Sequence, residues 1–501
     1  MAFKPTKTQY MVLIIFLVVL TLRFYYAFQT PYFSDNKDYF NQRQVESILS
    51  TGLPIVHDPL SYGGRTNIGS PVFYYMLAFF NILLPIELVG KVIVNIFASL
   101  LVVVVYLAAY ELSKDEPAAL FSASISGFIP VFFKTTFNSL SVYAITFPLL
   151  FFCVYCFMRI EDPGYVYVYL ISLFLFTMIS PIAILLPIGF IFYIFLLKID
   201  RMNHNRAEVE TMLFSILFVT WFLFIVYKKA FLFNGYSVIW QNVPIEILKN
   251  YFGNITILGA IYQIGSIPLL YATYAILQHI YNPSHRASCF FTSFAFATVL
   301  LLWLKLIELY VGLICLGIIS VILFARFYRW SFDYWKNTRF ARFANLLFIL
   351  FLIPLLMTSI IPSILYANEA VRNTISDEEV SVLKWISLNT EKNSTILAPL
   401  SEGYLVTSIA KRKDIADDNF LMVKDAEERH LDIEKAYTAR FETNALKLLD
   451  KYGVEYVLLT PRAKQEFGIG ELAYAKDSKC FSLVYDNNIK VYRSMCRLKT
   501  L

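Results

Sequence analysis

Runs of about 18 or more apolar residues recur along the first three-quarters of this 501-residue chain, and a helix of that length matches the hydrocarbon thickness of a bilayer. A chain made of such runs folds as a bundle of membrane-crossing helices, because only a helix or a closed barrel satisfies its own backbone inside lipid. Composition agrees: 58% of residues are hydrophobic, 17% aromatic and only 16% charged. That is too little charge for a soluble protein of this size. The formal charge of +6 lies in loops, so it speaks to topology and not to a nucleic-acid partner.

The hydrophobic pattern predicts about eleven transmembrane helices, near 10–28, 89–110, 118–133, 141–158, 165–178, 182–197, 209–227, 255–279, 289–304, 310–325 and 345–361. A shorter aromatic run over 72–84 reads as an interfacial or re-entrant helix. The first run carries no small-residue cleavage site and is read as a retained helix. The loops at 198–208 and 325–342 are rich in Lys and Arg, including Arg326, Arg329, Lys336, Arg339 and Arg342. They place the N-terminus in the cytoplasm and the C-terminal region outside. The N-x-S/T triplets at Asn254 and Asn393 fall on the same outer side. Cys153 and Cys156 form a C-x-x-C inside an apolar helix and read as packing, whereas Cys480 and Cys496 in the polar tail can pair as a disulfide.

After Ala367 the composition changes, and more than half of the 37 acidic residues lie beyond that point. This last stretch reads as a small α/β domain. Ser376 to Glu379 forms a capping box, 395–398 and 454–459 are strands, 404–410 and 425–452 are helical, and Asp-Asn-Asn at 486–488 turns a hairpin. The expected organisation is a membrane domain over 1–366, including a first outer loop at 29–87, followed by an extracytoplasmic α/β domain over 367–501. The fold class is an all-α polytopic membrane protein with a small C-terminal α/β domain.

The first outer loop is where chemistry is expected. Residues 31–71 concentrate Asp35, Asp38, Glu46, Asp58, Lys37, Arg43, Arg65, His57 and the pair Gly63-Gly64. A helix over 35–49 would lie on the membrane with Val45, Ile48 and Leu49 on its apolar side. Spacing of three would put Asp35 and Asp38 on one face, with Arg43 eight residues on from Asp35. Transfer of a sugar from a lipid phosphate needs a carboxylate to orient or deprotonate the acceptor and cations to hold the departing phosphate. Asp35 and Asp38 are the candidate catalytic residues, and Arg43, Arg65, Lys134 and Lys305 the candidate phosphate ligands. His57, Asp58 and Glu308 are further candidates. Each of these has a bland alternative as an ordinary residue of a solvated loop or of the membrane interface.

The pattern D-x-x-x-Y-F-x-x-R-x-x-E-x-I-L-x-x-G-x-P over Asp35–Pro54, followed by Asp58-Pro-Leu-Ser-Tyr-Gly-Gly-Arg65, resembles the first outer loop of GT-C membrane glycosyltransferases. The archaeal oligosaccharyltransferase branch is the most similar. The resemblance implies a multi-pass membrane glycosyltransferase of the cell envelope, with a polyprenyl (dolichyl) phosphate-linked sugar donor and a protein or glycan acceptor. It implies that Asp35, with Asp38 as alternative, is catalytic or binds a divalent metal such as magnesium or manganese. Two family features are missing. The loop Lys134–Asn138 has no carboxylate, and Leu400-Ser-Glu-Gly-Tyr404 stands where the family has W-W-D-Y-G. A transferase of a single sugar from a polyprenyl phosphate fits this pattern. A non-catalytic binder of lipid-linked glycan and a lipid or glycolipid transporter are the alternatives.

Overall fold

The computed structural model describes residues 6–202, 205–253, 255–282, 285–338, 341–476 and 479–498. Its contacts divide the chain into two compact units. The first comprises Met1–Pro31, Leu84–Val226 and Tyr251–Asn373; the second comprises Tyr32–Leu83, Tyr227–Asn250 and Thr374–Leu501.

The first unit is helical. Six helices of the chain are long and apolar enough to cross a membrane among the described residues, or eight if each of two bent pairs counts as one span. It is a multi-pass membrane protein. Both bends interrupt runs expected to be continuous. Glu116–Ser126 and Pro130–Thr136 meet at 46°, with proline starting the second piece where its missing N–H costs nothing. Ile257–Ile264 and Ser266–Tyr281 meet at 93° around Gly265, whose φ of +103° favours glycine. Tyr143–Met158 and Pro163–Ile179 are apolar but shorter.

Buried polar groups at membrane depth must find partners within the protein. Arg23, 1% exposed, donates to Asn95 Oδ1 at 3.2 Å and Thr136 Oγ1 at 3.1 Å, and its guanidinium lies 4.4 Å from the Phe133 ring centre. The four unpaired cysteines, Cys153, Cys156, Cys289 and Cys315, are all buried in this unit.

The second unit is built on a five-stranded sheet. Its strands are β3 (Thr395–Leu397), β4 (Lys413–Asp414), β5 (Val454–Leu459), β6 (Phe481–Asp486) and β7 (Lys490–Ser494), in the order β4-β3-β5-β7-β6. The β3–β4 and β3–β5 pairs are parallel; β7 runs antiparallel to β5 and β6. Period-two alternation gives β5 two buried faces. Val457 and Leu459 join one core and Tyr456 and Leu458 the other. The expected capping box is present, with Ser376 and Glu379 opening the helix Asp377–Asn389. The expected helix over 425–452 is two, Ala426–Thr438 and Glu442–Lys451. Cys480 and Cys496 form a disulfide.

The first polar loop, expected within the membrane domain, belongs to the second unit. Tyr62 is part of the core on one face of the sheet, and Tyr39 is part of the core on the other. The physical reason is apolar burial: both rings are under 7% exposed among C-terminal side chains. A helix expected only as a membrane-surface element, Lys37–Thr51, therefore buries Val45 and Ile48 in protein. Of the N-x-S/T triplets, Asn393 is exposed in a turn, while Asn254 lies outside the described residues.

Candidate functional site

The polar loop meets the tail through its helix start. The helix begins at Lys37, so Asp35 precedes it and accepts the Lys37 N–H on Oδ1 at 3.0 Å. Asp35 is exposed, whereas Asp38, one turn in, is 1% exposed. The two do not share a face as expected, because the helix starts two residues later than the spacing argument assumed. Asn36 fixes this end of the helix by donating to the Ser401 carbonyl at 2.5 Å.

The two arginines expected to grip phosphate are already answered by carboxylates. Arg43 makes a two-pronged bond to Asp58, 2.9 Å on each arm, and Asp58 also accepts the Leu60 N–H at 3.0 Å. Asp58 belongs to β1 (His57–Asp58), which pairs with β2 (Arg65–Thr66) across the Gly63-Gly64 turn. Arg65 is 2% exposed and forks onto Asp417 at 2.8 and 3.0 Å. Burial is the largest influence and works against its charge, but Asp417, Tyr404 and Tyr62 together outweigh it, so its pKa is held above the ordinary value. Ser61 donates to the same carboxylate at 2.6 Å, and the Tyr62 hydroxyl donates to the Asp417 carbonyl. Both arginines brace the loop instead of facing an open phosphate position. His57 is exposed on β1 and lies against Gly64.

The residues that sequence reasoning missed are in the tail, at Asp414, Asp417 and Asp418. The Asp414 N–H donates to the Leu60 carbonyl at 2.9 Å, and its Oδ1 accepts the Tyr62 N–H at 3.1 Å. Its Oδ2 is buried without a hydrogen-bond partner, and burial followed by Asp417 pushes its pKa well up. Asp418 is half-buried beside Lys37 and Asp35. Burial first, opposed by Lys37 and reinforced by Asp417, Asp35 and Glu466, pushes it up to about 7.

Gly403 makes this crowding feasible, since a Cβ there would lie 2.4 Å from the Ala416 carbonyl and 2.7 Å from Asp414 Oδ2. Its neighbour Glu402 is buried, accepts the Thr460 hydroxyl at 2.6 Å and is pushed by burial up to about 8. The only sequence signal for the cluster was Asp-Asp-Asn at 417–419, which reads as a turn.

In the membrane unit, Lys134 lies in the last turn of the short helix Pro130–Thr136. Its Nζ lies 5.4 Å from the Tyr310 ring centre and 5.0 Å from that of Tyr366, and it makes no ion pair among the described residues. Lys305 is exposed in a left-handed turn with φ +56°. Glu308 precedes the helix Leu309–Lys336 and accepts the Tyr143 hydroxyl at 2.7 Å.

A divalent metal at Asp35 needs several oxygen ligands drawn together. Among the described residues no group of three His, Cys, Asp or Glu ligand atoms within 4.8 Å of one another includes Asp35. Asp35 stands apart from any such group among the described residues.

No family model and no curated protein matches the sequence. Solved structures do match its fold. The apo oligosaccharyltransferase of Archaeoglobus fulgidus is 15% identical with a TM-score of 0.64, over 91% of this chain and 72% of that one. The archaeal oligosaccharyltransferase AglB from the same organism, in complex with an inhibitory peptide and a dolichol-phosphate, is 14% identical with a TM-score of 0.65, over 88% and 69%. ArnT from Cupriavidus metallidurans, bound to undecaprenyl phosphate, is 11% identical with a TM-score of 0.56, over 97% and 98%. The chain shares the fold of these structures, as the resemblance of its first outer loop to GT-C proteins leads one to expect.

Proposed function

We propose that this chain is a membrane glycosyltransferase that passes a sugar from a polyprenyl-phosphate donor to an acceptor on the outer face. The observation that carries this reading is the fold match to proteins whose structures hold dolichol-phosphate or undecaprenyl phosphate, nearly end to end for ArnT. The N-terminus is cytoplasmic and the second unit extracytoplasmic, as the Lys and Arg distribution of the loops supports.

In the membrane unit, Lys134 binds the donor phosphate, because it lies near two tyrosine rings and makes no ion pair among the described residues. Lys305 is a second, more exposed cation for that role. In the second unit, Asp35 orients the acceptor hydroxyl or amide, and Asp418 accepts its proton. Asp38, buried one turn behind Asp35, positions the helix start. As the acceptor bonds to the anomeric carbon, the carbon–oxygen bond to phosphate breaks and its electron pair leaves with the phosphate. A base near neutrality is well matched to this task, so activity rises with pH through about 7 as Asp418 ionises.

The test is transfer of radiolabelled sugar from polyprenyl phosphate in proteoliposomes. Asp35→Ala and Asp418→Asn each lower kcat by about 100-fold or more, and Asp418→Asn also removes the rise near neutral pH. Full activity in the double variant would end this mechanism. The carboxylate-free loop at Lys134–Asn138 favours a second reading, a non-catalytic binder of lipid-linked glycan. That reading predicts donor binding without turnover in the same vesicles.

A further inference from the structure

At one end of the membrane unit, three helix ends bring together side chains that the transferase reading leaves unused. Asp200 is the cap that follows the helix Leu185–Ile199. His279 lies in the last turn of Ser266–Tyr281, and Cys289 is the fourth residue of Arg286–Trp303. Their ligand atoms all lie within 4.8 Å of one another. His279 Nε2 is 3.3 Å from Asp200 Oδ2, about the separation of two ligands on one tetrahedral ion.

Burial makes this arrangement costly as it stands. His279 is 2% exposed and Cys289 is fully buried. Nε2 of His279 meets the Asp200 carboxylate at 3.3 Å, whereas Nδ1 makes no hydrogen bond among the described residues. An imidazole buried with a ring nitrogen unsatisfied gives up hydration there without recompense from the protein.

We propose that Asp200, His279 and Cys289 form a binding site for a divalent transition-metal ion of the zinc class. An oxygen, an imidazole nitrogen and a thiolate together select such an ion over magnesium or calcium, which take oxygen ligands. Water fills the fourth position. The neighbouring cations leave room for the ion: Arg286 is paired with Glu208, and Arg326, whose charge reaches His279, donates to Ser288 Oγ. In the proposed topology this end faces the cytoplasm, where Cys289 stays reduced and free to ligate. The ion clamps the ends of three membrane helices. The inference is independent of the transferase chemistry.

The experiment uses the full chain purified in detergent. Metal analysis after equilibration with zinc and dialysis is expected to find one zinc per chain. Replacing zinc with cobalt gives a thiolate-to-cobalt absorption in the near ultraviolet, together with the visible bands of a tetrahedral site. Cys289→Ser removes the near-ultraviolet band, and His279→Ala weakens cobalt binding at least about tenfold. Wild-type protein that retains no stoichiometric zinc overturns the proposal, as does a cobalt spectrum unchanged in Cys289→Ser. Should either variant fail to fold, the wild type still decides the question.

Discussion

Arg65 and Lys134 were equivalent candidates in the sequence, both cations expected beside a lipid phosphate, yet their surroundings differ in kind. Arg65 is sunk in the second unit with a carboxylate gripping it on both arms, so its charge is neutralised before any ligand arrives. Lys134 in the membrane unit lies near two tyrosine rings, which attract a cation without cancelling it. A buried cation's partner, more than its residue type, decides whether it holds the fold or waits for an anion. Arg43, two-pronged on Asp58, falls on Arg65's side of that line.

The contrast is broken most sharply at Arg65. Arg65→Ala leaves Asp417 buried and unpaired, which costs about 3–5 kcal/mol. Thermal unfolding of the full chain, or proteolysis within 374–501, reads that loss. Arg65→Ala with Asp417→Ala should recover part of it, and a single variant of wild-type stability would return Arg65 to the phosphate candidates.

Lys134→Ala should leave stability within about 1 kcal/mol of wild type. It should raise the donor KM by roughly tenfold, or about 1.4 kcal/mol of binding. A large stability loss with unchanged KM would make Lys134 structural too.

The smallest effect tests the acid that burial raises beside Gly403, Glu402. The folded pKa of Glu402, near 8, lies above its ordinary 4.5, so its protonated form is the one folding favours. Its contribution is full below about 4.5 and is lost as pH rises through about 8. Glu402→Gln keeps the shape without the proton, so its melting temperature should be flatter than wild type between about pH 5 and 9. Equal slopes would mean that Glu402 is ionised in the fold.

Local features were legible where local physics decides them. The apolar runs, the Ser376–Glu379 capping box, the Asp-Asn-Asn hairpin and the Cys480–Cys496 pair all depend on residues near in sequence. The bends at Gly265 and before Pro130 were carried by single residues inside long apolar runs, where hydropathy conceals them. The candidate site was legible only in part. Asp35 was singled out, but Arg65's partner lies 352 residues away, and no periodicity reports such a pairing. Nor could composition tell that Asp418 would be raised towards neutrality, because that shift comes from burial and neighbours supplied by the finished fold.

The placement of residues 32–83 within the C-terminal unit sets a timetable for biosynthesis. The ribosome delivers this loop long before residues 374–501 exist, and at about 5–20 residues per second the delay is roughly 15–60 s. Throughout that interval Tyr39, Tyr62 and Arg65 are without the C-terminal side chains that bury them in the finished fold. Expressed by itself, the C-terminal segment would meet the converse problem: two vacant seats in its cores and an Asp417 with no counter-ion.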